Sequence, residues 1–342
     1  MKDNTIFEAF FVKDPHYRPG FAAPESRKET FQEEVDKKNT FIIEEGKRRG
    51  VKKLFFTGDI LDFKQPSKYT FTPLKKHERL FQRLKKNFDT YTIDGNHDMP
   101  YSSQTVQESP FLHLIEHKLI TRIDEENPQI FSKPIGDPKT KKQVKVWGIP
   151  YKPSVMDVLE ALSQLDEDMS EEDYNIIILH EHCVPVYDNG VDFVDVLSYD
   201  ELVQNCSKVN AFVCGHLHKG YPTQYHKDVL FINPWNLTRV ARSYYTLNEE
   251  HKPTITYLGI DYNPETRKYE ARFEDIIVPH LPFQEAFDIR KLELRQKRKI
   301  DIQKFAQTVS QTKFVAGKLD TSTLRDEVHD LVEEYLSKAE ED

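Results

Sequence analysis

Leu54-Phe55-Phe56-Thr57-Gly58-Asp59-Ile60-Leu61-Asp62 carries a short apolar run straight into a glycine and two carboxylates. A run of this length, rich in aromatic residues and ended by a turn signal, reads as a buried strand, which puts Asp59 and Asp62 just past its carboxyl end. The same arrangement recurs. Residues 6–12 lead into Asp14-Pro15-His16, and residues 91–93 into Gly95-Asn96-His97-Asp98. Residues 176–179 lead into His180-Glu181-His182, and residues 211–214 into Gly215-His216-Leu217-His218. Further buried strands are expected at 144–149 and 229–232, and a hairpin across Asn263-Pro264. Helical patterns lie between several strands. Ser26/Glu29 and Thr30/Glu33 have capping-box spacing, Thr72-Pro73 reads as N-cap and first helical residue, and Ser154 caps a helix carrying Val158, Leu162 and Leu165. This alternation predicts an α/β protein on one or two layered sheets.

Sheets of this class gather their sites at the carboxyl ends of strands, so five such ends can converge. They bring carboxylate, imidazole and amide side chains, a mixture suited to borderline divalent ions such as Mn²⁺, Fe²⁺ or Zn²⁺. An all-oxygen Mg²⁺ or Ca²⁺ site would need fewer imidazoles. No cysteine occupies these positions, which argues against a structural zinc site. Each block alone is weak: Asp14-x-His16 can be a loop accident, Gly95-Asn96 a turn, and His180 a satisfied core histidine. Their joint occurrence, in this order, carries the inference.

The blocks DPH, GDILD, GNHD, a lone histidine and GHLH resemble the signature of the calcineurin-like metallophosphoesterases, across residues 14–218. The resemblance implies a two-sheet β-sandwich flanked by helices, over residues 1–280. It implies two divalent ions, Mn²⁺ foremost with Fe²⁺, Zn²⁺ or Mg²⁺ as alternatives. Asp14, His16, Asp59 and His218 would hold one, and Asp59, Asn96, His180 and His216 the other, with Asp59 bridging. It further implies a water, acidified between the ions, that attacks phosphorus. His97 would protonate the leaving group, and Asp62 would orient the His97 ring and raise its pKa. Asp98 would hold its loop, while His182 has no assigned role.

Within that superfamily the chain is similar to the SbcD-type nuclease subunits of double-strand-break repair and recombination complexes. Phe63-Lys64 stands where protein phosphatases carry Arg-Gly, and the third block is GNHD. The segment 231–239 (FINPWNLTR) resembles a substrate loop of that branch, although Asn233-Pro234-Trp235 departs from its Gly-Ser-Pro pattern, as Lys13 departs from the small or polar residue usual before Asp14. This likeness implies DNA as substrate, with Tyr17, Arg18 and Arg239 as candidate contacts to phosphate or base. It also implies an SMC-like, SbcC-type ATPase partner bound through a helical C-terminal extension at 281–342, and it is compatible with a homodimer. A small-molecule phosphodiesterase or phosphatase and a non-catalytic interaction module are the alternatives.

Composition narrows these readings. A chain of 342 residues, 38% hydrophobic and 31% charged, can bury a sizeable core. The net charge of −9 excludes a surface wholly given to nucleic acid. Local basic candidates are Lys64, Lys68, Lys75 and Lys76, and the run at 290–299. Three cysteines without CxxC spacing fit a reducing compartment. No apolar run approaches the roughly 20 residues of a membrane span, and the start lacks a signal-peptide pattern. The expected location is the cytoplasm of a bacterium or a phage-infected cell.

Overall fold

The computed structural model describes residues 4–23, 27–28, 30–62, 71–99, 109–135, 137–186, 196–239, 250–291, 293–294 and 297, and the pairs 314–315 and 318–319. The chain divides into a unit spanning Met1–Ala286 and another spanning Phe287–Asp342.

In the first unit, every buried strand expected from the sequence is present. Thr5–Val12 (β1), Lys53–Phe56 (β2), Asp89–Thr92 (β3) and Thr121–Arg122 (β4) run parallel in one sheet. Gln129–Ile135 (β5), Asp137–Ile149 (β6), Tyr174–Leu179 (β7), Ala211–Cys214 (β10), Tyr221–His226 (β11) and Val229–Asn233 (β12) form the second, ordered β11-β12-β10-β7-β6-β5. Its centre, β6-β7-β10-β12, is also parallel. Cys183–Val184 (β8) and Leu197–Ser198 (β9) pair separately. The hairpin appears as Thr254–Asn263 (β13) and Lys268–Ile277 (β14), and it completes the first sheet by pairing β13 antiparallel to β1.

Strand alternation explains the layers. Ala9 and Phe11 of β1 point inward with Phe55, Ile176, Ile178, Ala211, Val213 and Ile232 to form the core between the sheets. Phe10 and Val12 point the other way, against helices Phe31–Arg49 (α1) and Phe71–Lys85 (α2) through Val35, Ile42, Leu80, Phe81 and Leu84. Leu114 of Pro110–Glu116 (α3) joins that layer. On the far side Ile177, Leu179 and Phe212 pack against Val155–Asp168 (α4) and Tyr199–Asn205 (α5) through Val158, Leu162, Leu165 and Leu202. Because strands with both faces covered need apolar residues throughout, β7 reads YNIIIL and is wholly buried.

Ser154 caps α4 as expected, accepting from the Asp157 N–H at 3.2 Å. Thr30 does not make the expected capping box. It precedes α1 in a helical conformation, and its side chain caps nothing. Acidic Glu33 and Glu34 in the first turn and Lys47, Arg48 and Arg49 in the last complement the helix dipole there. Ser26 and Glu29 lie outside the described residues. Thr72 and Pro73 lie within α2 as described, Phe71–Lys85, and not ahead of it. The basic candidates after the second block are engaged internally: Lys75 pairs with Glu78 at 2.7 Å, and Lys76 donates to the Gly20 carbonyl at 3.1 Å. Lys64 and Lys68 are outside the described residues.

Most of 281–342, the expected helical extension, is also outside them. The described parts are a helical turn, Phe283–Ala286 (α6), helical residues between 289 and 297, and a short pair of strands, Phe314–Val315 (β15) with Lys318–Leu319 (β16). No described helix is long and apolar enough to cross a membrane.

The inter-sheet core makes a direct prediction. Ile178 is wholly buried between the sheets. Ile178→Ala should cost about 2–5 kcal/mol, the range for emptying a large aliphatic site, read as a lower urea midpoint at unchanged slope in chelator-treated protein.

Candidate metal centre

The turns after β1, β2, β3, β7 and β10 meet at one edge of the sandwich. Thr57, at the end of β2, stitches the sheets together. Its carbonyl accepts from His180 Nδ1 at 2.7 Å, and its Oγ1 donates to Asp14 Oδ1 at 2.7 Å. The first bond fixes the His180 proton on Nδ1 and leaves the Nε2 lone pair facing the site. Nε2 lies 3.2 Å from Asn96 Oδ1 and 3.4 Å from Asp59 Oδ2. On the other side of Asp59, His16 Nε2 is 3.4 Å from the same Oδ2 and 2.8 Å from His218 Nε2. Ligand atoms from Asp59, His180 and His216 lie within 4.8 Å of one another.

These separations fit the donor set to two ions. Atoms bound to one cation at about 2.1 Å are separated by about 3.0–3.4 Å along the edges of its coordination shell. Asp59 Oδ2 belongs to both groups. Asp59 Oδ1 accepts from the His97 backbone N–H at 2.7 Å, which fixes the orientation of the carboxylate that would be shared by the ions. Asp14 Oδ2 is buried without a hydrogen-bond partner.

The electrostatics agree. Burial alone would depress the His16 and His180 imidazoles, but Asp59 and the neighbouring carboxylates overcome it, raising His16 and pushing His180 up to about 10. Burial favours the neutral form of Asp59, yet His180, His97 and His16 hold it well below the usual carboxylate range. His216 and His218 are depressed by burial and by the other imidazoles. Imidazoles gathered around one carboxylate in this way form a cluster whose charge bound cations would balance.

Backbone shape brings the donors into this arrangement. Asp14, His16, Asp59 and His216 all have positive φ, of 36°, 44°, 46° and 71°. Such conformations are costly for residues with a Cβ and persist where surrounding structure over-determines them. Gly95 is required for close approach, since a Cβ there would sit 2.2 Å from both Asp59 N and Oδ1.

A family model for calcineurin-like phosphoesterases matches residues 14–220. The chain belongs to the calcineurin-like phosphoesterase family. Its fold is similar to YfkN from Bacillus subtilis, itself a calcineurin-like phosphoesterase, at a TM-score of 0.50 and 11% identity over 85% of this chain and 98% of that one. It is also similar to a 5'-nucleotidase precursor from Thermus thermophilus, at a TM-score of 0.45 and 10% identity over 90% and 60% of the two chains. No curated protein matches the sequence. Members of this family use divalent metals, and this calcineurin-like phosphoesterase carries candidate His/Asp groups that could hold them.

Three expected roles change. The Asp62 carboxylate does not orient His97. Oδ1 lies 3.5 Å from His16 Nδ1 and Oδ2 lies 3.7 Å from Arg18 Nε, while His97 Nδ1 bonds the Asp62 backbone carbonyl at 2.8 Å. The His97 pKa falls instead of rising, because burial outweighs the opposing pull of Asp59. Tyr17 is no substrate contact: it is buried, with its hydroxyl donating to Asn39 Oδ1 at 2.7 Å and its ring edge-on to Phe21 and Phe81. Arg239 is buried as well, donating to the Leu281 carbonyl. Arg18 remains at the rim, with 17% of its side chain exposed.

Asp98 holds its loop as expected, accepting from the N–H groups of Gly95 at 3.0 Å, Leu61 at 3.0 Å and Ile60 at 3.3 Å. Burial and the Asp59 charge push its carboxyl up to about 8 despite those donors. His182, without a role from sequence, packs its ring 3.9 Å from that of His216. Glu181, Thr57 and Tyr151 were missed. Tyr151 follows β6 as the ligands follow their strands, and its ring lies 5.5 Å from His216. The signal for it was position alone, since tyrosine is not a usual ligand for these ions.

The two departures from the family pattern prove to be partners. Lys13 is wholly buried, and its ammonium donates to Asn233 Oδ1 and to the Lys219 carbonyl at 3.3 Å. Burial lowers its pKa to about 8. Asn233 Nδ2 in turn donates to the Cys183 carbonyl at 3.0 Å. The pair ties the turn after β1 to the end of β12.

Two predictions follow from this geometry. Gly95→Ala should keep the fold, judged by far-UV circular dichroism, and lower bound metal measured by mass spectrometry to below half the wild-type stoichiometry. Lys13→Ala and Asn233→Ala should couple by about 0.5–3 kcal/mol in a double-mutant cycle of unfolding free energies. A coupling within error of zero would show that the two substitutions are independent.

Proposed function

We propose that the chain is the DNA exo- and endonuclease subunit of an SbcCD-like repair and recombination complex, cutting phosphodiesters with a pair of Mn²⁺ ions. The observation that carries the reading is His97. Its ring is half-buried beside the ligand Asn96, 4.9 Å edge-on from His16, and anchored through Nδ1 to the Asp62 carbonyl. That anchor holds a proton on Nδ1, so a proton delivered to a leaving oxygen comes from Nε2 of the imidazolium. Burial opposes the imidazolium, and Asp59 and an incoming phosphate anion favour it.

When bound, the ions would supply an acidified water nucleophile and neutralise charge at phosphorus. Arg18 stands at the rim, where its guanidinium can meet a non-bridging phosphate oxygen, and Asp62 restrains its orientation. Asp98 fixes the loops carrying Asp59 and Asn96 relative to each other, so both donors stay placed through a turnover. Phe63-Lys64 in place of Arg-Gly supports the nuclease branch over the protein phosphatases. In this reading an SMC-like ATPase docks on the C-terminal segment in the cytoplasm and supplies DNA affinity that a chain of net charge −9 lacks. The same charge favours the second reading, a phosphodiesterase for small substrates.

The test incubates the protein and its His97→Ala variant with Mn²⁺ and labelled linear, circular and single-stranded DNA, alongside bis-p-nitrophenyl phosphate. DNA cleavage should fall about 10²–10⁴-fold in the variant, the usual contribution of a general acid. Turnover of the nitrophenyl ester, whose leaving group needs no proton, should fall less than about tenfold, with metal content unchanged. Intact DNA beside rapid ester hydrolysis by the wild type would replace the nuclease reading with the small-substrate one.

A further inference from the structure

A second group of metal-binding side chains lies outside this centre, where α2 meets α3. Glu78 of α2, His113 of α3 and His117 just past it offer one ligand atom each, all within 4.8 Å of one another. We propose that Glu78, His113 and His117 form an additional site for one borderline divalent ion of the Zn²⁺ class, clamping α2 to α3.

Helical spacing produces the site. His113 and His117 are four residues apart, so their rings lie on one face of the same helical segment, with centroids 3.9 Å apart at 36°. Glu78 reaches across from the neighbouring helix, and its Oε1 lies 2.9 Å from His113 Nε2. This hydrogen bond already has the separation of two ligands on one ion, so a cation can replace the proton between them.

The surrounding bonds are those of a metal site. His117 Nδ1 donates to the His113 backbone carbonyl at 2.9 Å, which fixes the tautomer and leaves the Nε2 lone pair available. Lys75 holds Glu78 Oε2 at 2.7 Å, which orients the carboxylate and leaves Oε1 toward the histidines. Glu78 is buried, His113 partly exposed and His117 exposed. An ion can therefore enter from solvent and keep a water as fourth ligand, and the nitrogen-rich donor set favours Zn²⁺, Co²⁺ or Ni²⁺ over Mg²⁺ or Ca²⁺. On binding, the proton shared by His113 Nε2 and Glu78 Oε1 leaves to solvent.

The proposal is independent of the phosphoesterase reading, and its test separates the two sites. Chelator-stripped full-length protein is titrated with Zn²⁺ alone against a competing chromophoric chelator. The Asp59→Asn chain, with its main centre disabled, should still take up one equivalent. Adding His117→Ala, an exposed position that should leave folding intact, should weaken that uptake at least tenfold, as should Glu78→Gln. His117→Ala alone should leave phosphoester hydrolysis unchanged. Equal Zn²⁺ affinity in Asp59→Asn and Asp59→Asn/His117→Ala would overturn the site, and so would no uptake by either.

Discussion

Asp59 Oδ2 faces the Nε2 atoms of His16 and His180 at the same distance, 3.4 Å, and the two histidines follow strands of different sheets. The centre exists only while the sandwich holds the two sheet edges in register. The Thr57 carbonyl makes that dependence direct, because it closes β2 and takes its hydrogen bond from His180 across the gap. A sub-ångström slip of one sheet would open the bond and both donor groups together. The aliphatic core between the sheets thus does more than stabilise the fold: its close packing sets the spacing of the ligands.

The layout also explains where strain is stored. Among the described residues, nine besides glycine have positive φ, and four of these are the candidate ligands Asp14, His16, Asp59 and His216. Parallel strands deliver their ends to one edge, but a regular exit would carry the next side chains past it. A left-handed residue turns the chain sharply enough to aim a side chain back over the strand end. The strain persists because backbone bonds such as His16 N to Asp59 O at 2.9 Å and Tyr17 N to Ile60 O at 2.8 Å lock the turns to one another.

Strands, and the candidate donors at their ends, were legible in the sequence because both depend on order along the chain. An apolar run followed by Gly-Asp or Gly-Asn-His needs no tertiary information to be read as a strand end with donors. Side-chain direction was not legible. Asp62 lies beside His97 as expected, yet it reaches that ring through its carbonyl and turns its carboxylate to His16. Tyr17, next to His16 in sequence, and Arg239, past the last block, both turn into the interior, where they donate to Asn39 and to the Leu281 carbonyl. Lys13 and Asn233 each look like a departure from the family pattern, and their pairing across 220 positions needs the fold to be seen.

The acidic composition takes on a different meaning once burial is known. Among the described residues nine carboxylates are buried, against four lysines and arginines. Five of those carboxylates, Asp14, Asp59, Asp62, Asp98 and Glu181, belong to the metal centre or the loops that frame it. The excess of buried acidic residues is therefore concentrated where a pair of divalent ions would favour their charged forms. Net charge read from sequence counts these groups as if they faced solvent, and so overstates the repulsion that a polyanion approaching the rim would meet. Arg18 lies at that rim, 3.7 Å from Asp62 Oδ2, so a guanidinium contributes to the local field at the entrance that the chain average does not describe. The −9 therefore limits how much DNA affinity the outer surface can supply, and it places little restriction on which phosphoester the centre itself can accept.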